Sequence, residues 1–144
     1  MENKDTIDLL KECDSGTKMA VSSIDEVLEE IKDSNLRQKL SESKEHHTKL
    51  GNELHALLLK YNSEEQDPAP LAKGMSWLKT NMKMGMEHSD ATAADLITDG
   101  CNMGIKSLYK YLNKYSAANQ VSKDICKRLI SIEDALCKDM RVYL

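Results

Sequence analysis

The chain has no phenylalanine, only two prolines and a single tryptophan, and aromatic residues fill just 4% of its 144 positions. Sheets draw on β-branched and aromatic residues, so this poverty argues against a β-rich domain, and scarce proline leaves long helices unbroken. No apolar run approaches the roughly 20 residues of a membrane span. The opening residues, Met1-Glu2-Asn3-Lys4-Asp5, lack the apolar stretch of a secretory signal, so a cytoplasmic location is expected. Basic residues are not in excess: 20 Lys and Arg stand against 24 Asp and Glu, for a net charge of −4. That balance gives no electrostatic reason to expect nucleic acid or an anionic membrane as a partner. A Gly-rich phosphate loop and a G-x-S-x-G elbow are both missing, which argues against nucleotide and hydrolytic chemistry. The four cysteines, Cys13, Cys101, Cys126 and Cys137, show neither C-x-x-C nor zinc-like grouping. They are expected to serve as small buried hydrophobes in a reducing compartment.

What is present is helical. Leu, Met, Ala, Lys and Glu dominate, and 144 residues suffice for one domain with a core that needs no disulfide. A first helix is expected from about Asp5, as its cap, to Lys32, with Ile7, Leu10, Asp14, Thr17, Val21, Ile24, Leu28 and Ile31 as its seam. After the break at Asp33-Ser34-Asn35, a second helix is expected over about 35–62. Its seam carries Leu36, Leu40, Ser43, His47, Leu50, Leu54, Leu57 and Tyr61. The 3-4 alternation suits antiparallel bundle packing. Both seams are apolar at their ends and polar in the middle.

A polar linker over 63–69 precedes a shorter helix, about 71–86, with Met75, Leu78 and Met82 on one stripe. Thr92 and Asp95 have capping-box spacing for a helix running to about Tyr115. Its buried face carries Leu96, Ile97, Cys101, Gly104, Leu108 and Tyr111. Gly100 and Gly104, four apart, leave a groove in which another helix could lie. Ser122 is expected to cap the last helix, whose seam is Ile125, Leu129, Ile132, Leu136, Met140 and Tyr143. A second helix of this length spans roughly 42 Å, and the partly helical connection after it is long enough to return along that length. The expected architecture is therefore all-α: a four-helix bundle with one long crossover between its second and third long helices. A five-helix bundle with 71–86 as an equal member is the competing arrangement.

Three stretches carry a resemblance to a known group: Cys13-Asp14-Ser15-Gly16, Trp77-Leu78-Lys79, and Asp95 to Tyr109 around Gly100. On these the chain resembles the ferritin-like superfamily, in particular a bacterial branch of small four-helix proteins. The resemblance implies a bundle with a metal site at mid-height. In such relatives acids flank the glycine of the third long helix, and the matching places here look like Thr98 and Cys101.

The residues themselves do not spell a di-iron site. That site needs four carboxylates and two imidazoles, usually with two Glu-x-x-His pairs, because positions i and i+3 share a helix face. Ser43, Lys44, Asn52 and Gly85 stand three before His46, His47, His55 and His88, and none is an acid. A reduced site is conceivable. Asp14 and His47 lie on their seams and Glu133 sits beside Ile132, and together they could hold one divalent ion, Fe, Mn or Zn. Asp14 and His47 equally fit a polar layer hydrogen-bonded to Thr17, a tyrosine or water, of the kind that fixes register in a bundle. His46 and His47 point about 100° apart and do not chelate together.

Two functions follow as expectations. One is a non-catalytic bundle that associates as a symmetric dimer or with a protein partner, through the Met-rich crossover and the Gly100/Gly104 groove. The other is a divergent metal-binding protein in iron or oxidant handling. A thiol sensor using Cys101 and Cys137, at similar heights in the last hairpin, is a weaker third.

Overall fold

The computed structural model describes residues 3–63 and 89–144. Four long helices fill them: α1 (Lys4–Leu28), α2 (Ser34–Lys60), α3 (Asp90–Lys114) and α4 (Gln120–Met140), with a 3-10 turn at Arg141–Tyr143. The shorter helix expected over 71–86, and with it the five-helix alternative, falls outside the described residues.

Each helix starts on a side chain that takes up an otherwise orphaned backbone N–H. Asn3 accepts from Thr6, Asp33 from Leu36, Ser89 from Thr92 and Asn119 from Ser122. Three of these caps differ from expectation. Asp5 instead accepts the backbone N–H of Ala117 at 3.0 Å, Ser122 donates its hydroxyl to the Asn119 carbonyl, and Thr92 sits inside the first turn of α3. α1 also ends at Leu28, four residues short of Lys32. At the other end of α2 the chain closes in a Schellman turn: Ser63 N–H donates to Leu58 and Asn62 N–H to Leu59. Asn62 takes the left-handed conformation this requires, with φ 53°.

Two side-chain clamps fix the topology. The Asp90 carboxylate, at the start of α3, accepts the backbone N–H groups of Lys32 and Asp33 at 2.9 and 2.8 Å. The start of α3 therefore lies at the α1–α2 turn, where α2 also starts, and the two helices run parallel. Asn119 N–H donates to Thr6 Oγ1 at 2.8 Å, and Asn3 donates to the Ala117 carbonyl, which pins the α3–α4 turn to the start of α1. Two antiparallel hairpins joined by one long crossover are the result, as the lengths of the connections implied.

The core is split. One apolar cluster, at the α1–α2 turn, gathers Ile24, Val27, Ile31, Leu36, Leu40, Leu96, Ile97, Leu136 and Met140. The other, at the α3–α4 turn, gathers Leu9, Leu10, Leu50, Leu54, Leu58, Leu108, Ile125 and Leu129. All seven buried positions of α2 were expected on its seam except Leu58, which replaces Leu57. In α1 the buried face is turned from the expected seam: Leu9, Cys13 and Val27 join Leu10, Asp14, Thr17 and Ile24, while Ile7, Val21 and Leu28 are half-buried. Between the clusters every helix contributes something other than a large apolar side chain.

Candidate functional site

The polar belt at mid-height is built from Asp14 and Thr17 on α1, Ser43 and His47 on α2, Gly104 on α3 and Glu133 on α4. Asp14, His47 and Glu133 are 1%, 0% and 7% exposed. Their burial next to one another is costly unless each polar atom finds a partner.

His47 is oriented from its own helix. Its Nδ1 lies 2.8 Å from the Ser43 carbonyl oxygen, with Ser43 Oγ at 3.4 Å. A carbonyl only accepts, so Nδ1 carries the proton, and in the neutral ring the Nε2 lone pair is left facing inward. There it meets Glu133 Oε1 at 3.9 Å, beyond hydrogen-bonding distance. Neither His47 Nε2 nor Glu133 Oε2 has a hydrogen-bond partner. Burial pushes the Glu133 carboxyl above its ordinary pKa, and the His47 imidazole pulls the other way. With a neutral ring and an ionised carboxylate the two would be inward-facing acceptors, a need that a proton, a water or a cation between them would fill.

Gly104 makes room for this. A Cβ at that position would fall inside van der Waals contact of Glu133 Oε2, with Cδ at 3.0 Å and Oε1 at 3.1 Å. The notch expected to admit a second helix is occupied by a carboxylate of the same chain. A Cβ on Gly100 would touch nothing within 4 Å.

Asp14 is held differently. Lys18, one turn on, brings its Nζ to 3.0 Å of Asp14 Oδ2, and Thr17 donates its hydroxyl to the Asp14 carbonyl at 2.8 Å. Asp14 and His47 also share the floor of an open groove of 480 Å³ between α1 and α2, rimmed by Lys18, Thr48 and His55. Of the three residues expected to form a reduced metal site, His47 and Glu133 face each other, and Asp14 shares the groove with His47 while pairing with Lys18. Among the described residues no group of three or more His, Cys, Asp and Glu side chains is arranged to hold one metal ion. His46 is exposed, as its position beside His47 required. Lys18 and Gly104 were not singled out for this role, although the i, i+4 spacing of Asp14 and Lys18 was readable.

The described thiols are all free. Cys101 is buried, and burial, then the Glu133 charge, pushes its pKa up. Cys137 is half-buried and donates to Asn102 Oδ1 at 3.5 Å.

The chain is similar in structure to a dodecameric thioferritin, the bacterioferritin-related protein of Bacteroides fragilis, in an alignment that covers 97% of this chain. The two share 14% of residues at a TM-score of 0.73, over 84% of that chain. The fold is ferritin-like. No protein-family description matches the sequence, and no curated protein does either. In ferritin-like bundles that carry two irons, the metals sit in the core between facing helices, ligated by four carboxylates and two imidazoles. Among the described residues, the buried belt of this ferritin-like chain contains two carboxylates and one imidazole. That set does not fit a di-iron pair. No described helix is long and apolar enough to cross a membrane.

Proposed function

We propose that this ferritin-like bundle works by associating with copies of itself, as a symmetric dimer or a larger closed assembly, and not as a di-iron oxidase. The donor set at mid-height supports the second half of that reading, since among the described residues it holds two carboxylates and one imidazole, short of a di-iron complement. For the first half, Met103, Tyr109 and Val121 stand out from the α3–α4 hairpin at 66%, 54% and 53% exposure. Large apolar side chains so placed are natural contact points for a self-complementary surface. The dodecameric state of the Bacteroides protein, a chain of similar fold, supports the reading of a homo-oligomer. Sedimentation equilibrium is the test. A mass above the 16.2 kDa monomer, reduced by Met103→Lys, supports the proposal, and a monomer throughout the micromolar range overturns it.

One observation favours a second reading, a divergent metal-binding protein in iron or oxidant handling. His47 Nε2 and Glu133 Oε2 are buried without a hydrogen bond, and Asp14, paired with Lys18, lines the same groove as His47. A His that donates its other ring N–H to a backbone carbonyl is held as metal-ligating histidines are held. Elemental analysis after anaerobic loading with Fe(II), Mn(II) or Zn(II) decides it. Near-stoichiometric metal lost in both His47→Ala and Glu133→Ala supports a site, and equal metal in the variants and the native chain removes it.

A further inference from the structure

The outward face of α3 carries a charge pattern that the rest of the bundle does not use. Asp95, Asp99, Asn102, Met103, Lys106 and Lys110 are all exposed, and at about 100° per residue they fall on one side of the helix. The acids occupy one half of this stripe and the bases the other. Among the described residues, none of these four charged side chains is engaged in a hydrogen bond or an ion pair. Met103, the large apolar residue at the centre, is 66% exposed. A helix standing alone gains nothing from this order. Asp95 and Asp99 are four apart, as are Lys106 and Lys110, so each half sets like charges one turn from each other, where opposite charges would stabilise. The helix macrodipole does not account for it either. Its effect falls off within the first and last turns, and all four residues lie inside those turns of a helix that runs Asp90–Lys114.

We propose that the self-association put forward above, on which this inference rests, takes place on this face, with two copies of α3 paired antiparallel across a two-fold axis between Asn102 and Met103. The spacing is symmetric about that point. Asp99 stands three residues before Asn102 and Lys106 three after Met103, while Asp95 and Lys110 stand seven before and seven after. At equal rise per residue, Asp99 comes level with the partner's Lys106 and Asp95 with the partner's Lys110, and the two-fold axis makes each pairing occur twice. Opposite charges thus flank a centre at which the two Met103 side chains meet and leave water. A parallel pairing sets Asp against Asp and Lys against Lys, and is repelled. The same charges therefore select both the partner, a second copy of this chain, and its direction.

Sedimentation equilibrium of the full chain at low ionic strength tests the pairing, with circular dichroism showing that each variant is folded. Asp95→Lys combined with Asp99→Lys makes the face wholly basic, and Lys106→Asp combined with Lys110→Asp makes it wholly acidic. Either change turns every attraction at the contact into a repulsion and should raise its dissociation constant by about tenfold or more. Mixed one to one, the two variants should pair again, because a basic face against an acidic one matches every charge. Should a double variant fail to fold, the single substitutions Asp99→Lys and Lys106→Asp give the same comparison. A parent chain that stays monomeric overturns the self-association itself. A parent that associates, with variants that associate equally well, overturns this face alone. Variants that lose association and do not recover it on mixing overturn the antiparallel pairing.

Discussion

Gly104 and Gly100 lie one turn apart on α3, and alanine at the two positions should act in opposite senses. Glycine in a helix interior is less favourable than alanine by about 1 kcal/mol, so propensity alone makes either substitution stabilising. At Gly100 nothing stands within 4 Å of the added methyl, and the full gain of about 0.5–1 kcal/mol should appear. At Gly104 the methyl meets the Glu133 carboxylate, with Cδ at 3.0 Å and Oε1 at 3.1 Å. An exposed carboxylate would swing aside at little cost. Glu133 is 7% exposed and faces His47, so its movement must disturb the belt or push α3 away from α4. Overpacking of this sort costs about 1–3 kcal/mol, which outweighs the propensity gain. The expected result is Gly100→Ala more stable than the parent and Gly104→Ala less stable by up to about 2 kcal/mol. Urea unfolding followed by circular dichroism reads both, with unchanged m-values confirming that stability alone has moved. Glu133→Asp, one methylene shorter, should restore most of the loss in Gly104→Ala, a coupling that a double-mutant cycle isolates. Equal stabilisation by the two alanines would refute the reasoning, because it would mean that the carboxylate is not seated over Gly104.

Asp90→Ala removes the acceptor of two backbone N–H groups at the α1–α2 turn and should cost about 1–3 kcal/mol in the same assay. Glu133→Gln should be more stable than the parent at pH 7. Burial raises the folded pKa of Glu133 above its unfolded value, against the pull of His47, so the native carboxyl is favoured in its neutral form. Stability from that group is present below the unfolded carboxylate pKa and is lost as pH rises through the folded one. The advantage of the amide should therefore shrink as pH falls toward 4, and an advantage that grows in acid would count against the assignment. Arg128→Ala breaks a two-pronged bridge to Glu53, at 2.7 and 3.1 Å, between half-exposed side chains. It should cost no more than about 1 kcal/mol, and the loss should fade in high salt.

The hairpins and the crossover were legible because seam periodicity and connection length follow from the helix itself. The seam of α2, from Leu36 through His47 to Leu54, is buried as its spacing required. The caps were not legible, for a reason visible at Asp5 and Ser122. Each stands two or three residues from another residue able to cap, and the choice between them is made by packing of the α3–α4 turn. Ala117 claims the Asp5 carboxylate, so Asn3 caps α1; Asn119 caps α4 and receives the Ser122 hydroxyl on its carbonyl. The mid-height belt was half legible. Polar residues interrupting two seams announced it, and His47 and Glu133 do meet. Gly104 was misread because two glycines four apart look the same whether the neighbour is a second helix or a carboxylate. Only the rotation of α4 distinguishes them, and sequence spacing within α3 does not contain it.

The split core gives the belt its meaning. Two apolar clusters, one at each turn, each draw on all four helices and can hold the bundle together, so the belt between them is free to be suboptimal. A leucine or methionine at 133, seated against Gly104 and the ring of His47, would remove a buried carboxyl that burial itself opposes. The chain keeps the carboxyl and a glycine that costs helix propensity to seat it. That combination is consistent with a register lock: slide α4 by one turn and Glu133 would meet Leu108 or Cys101 instead of the notch at Gly104. Polar groups at a single level of a bundle specify alignment in this way at the expense of stability. The same two inward-facing acceptors would also suit a cation or a water, and the comparison of Glu133→Gln with Glu133→Leu separates the uses. A lock keeps its alignment in the amide and loses it in the leucine variant, whereas a cation site is lost in both.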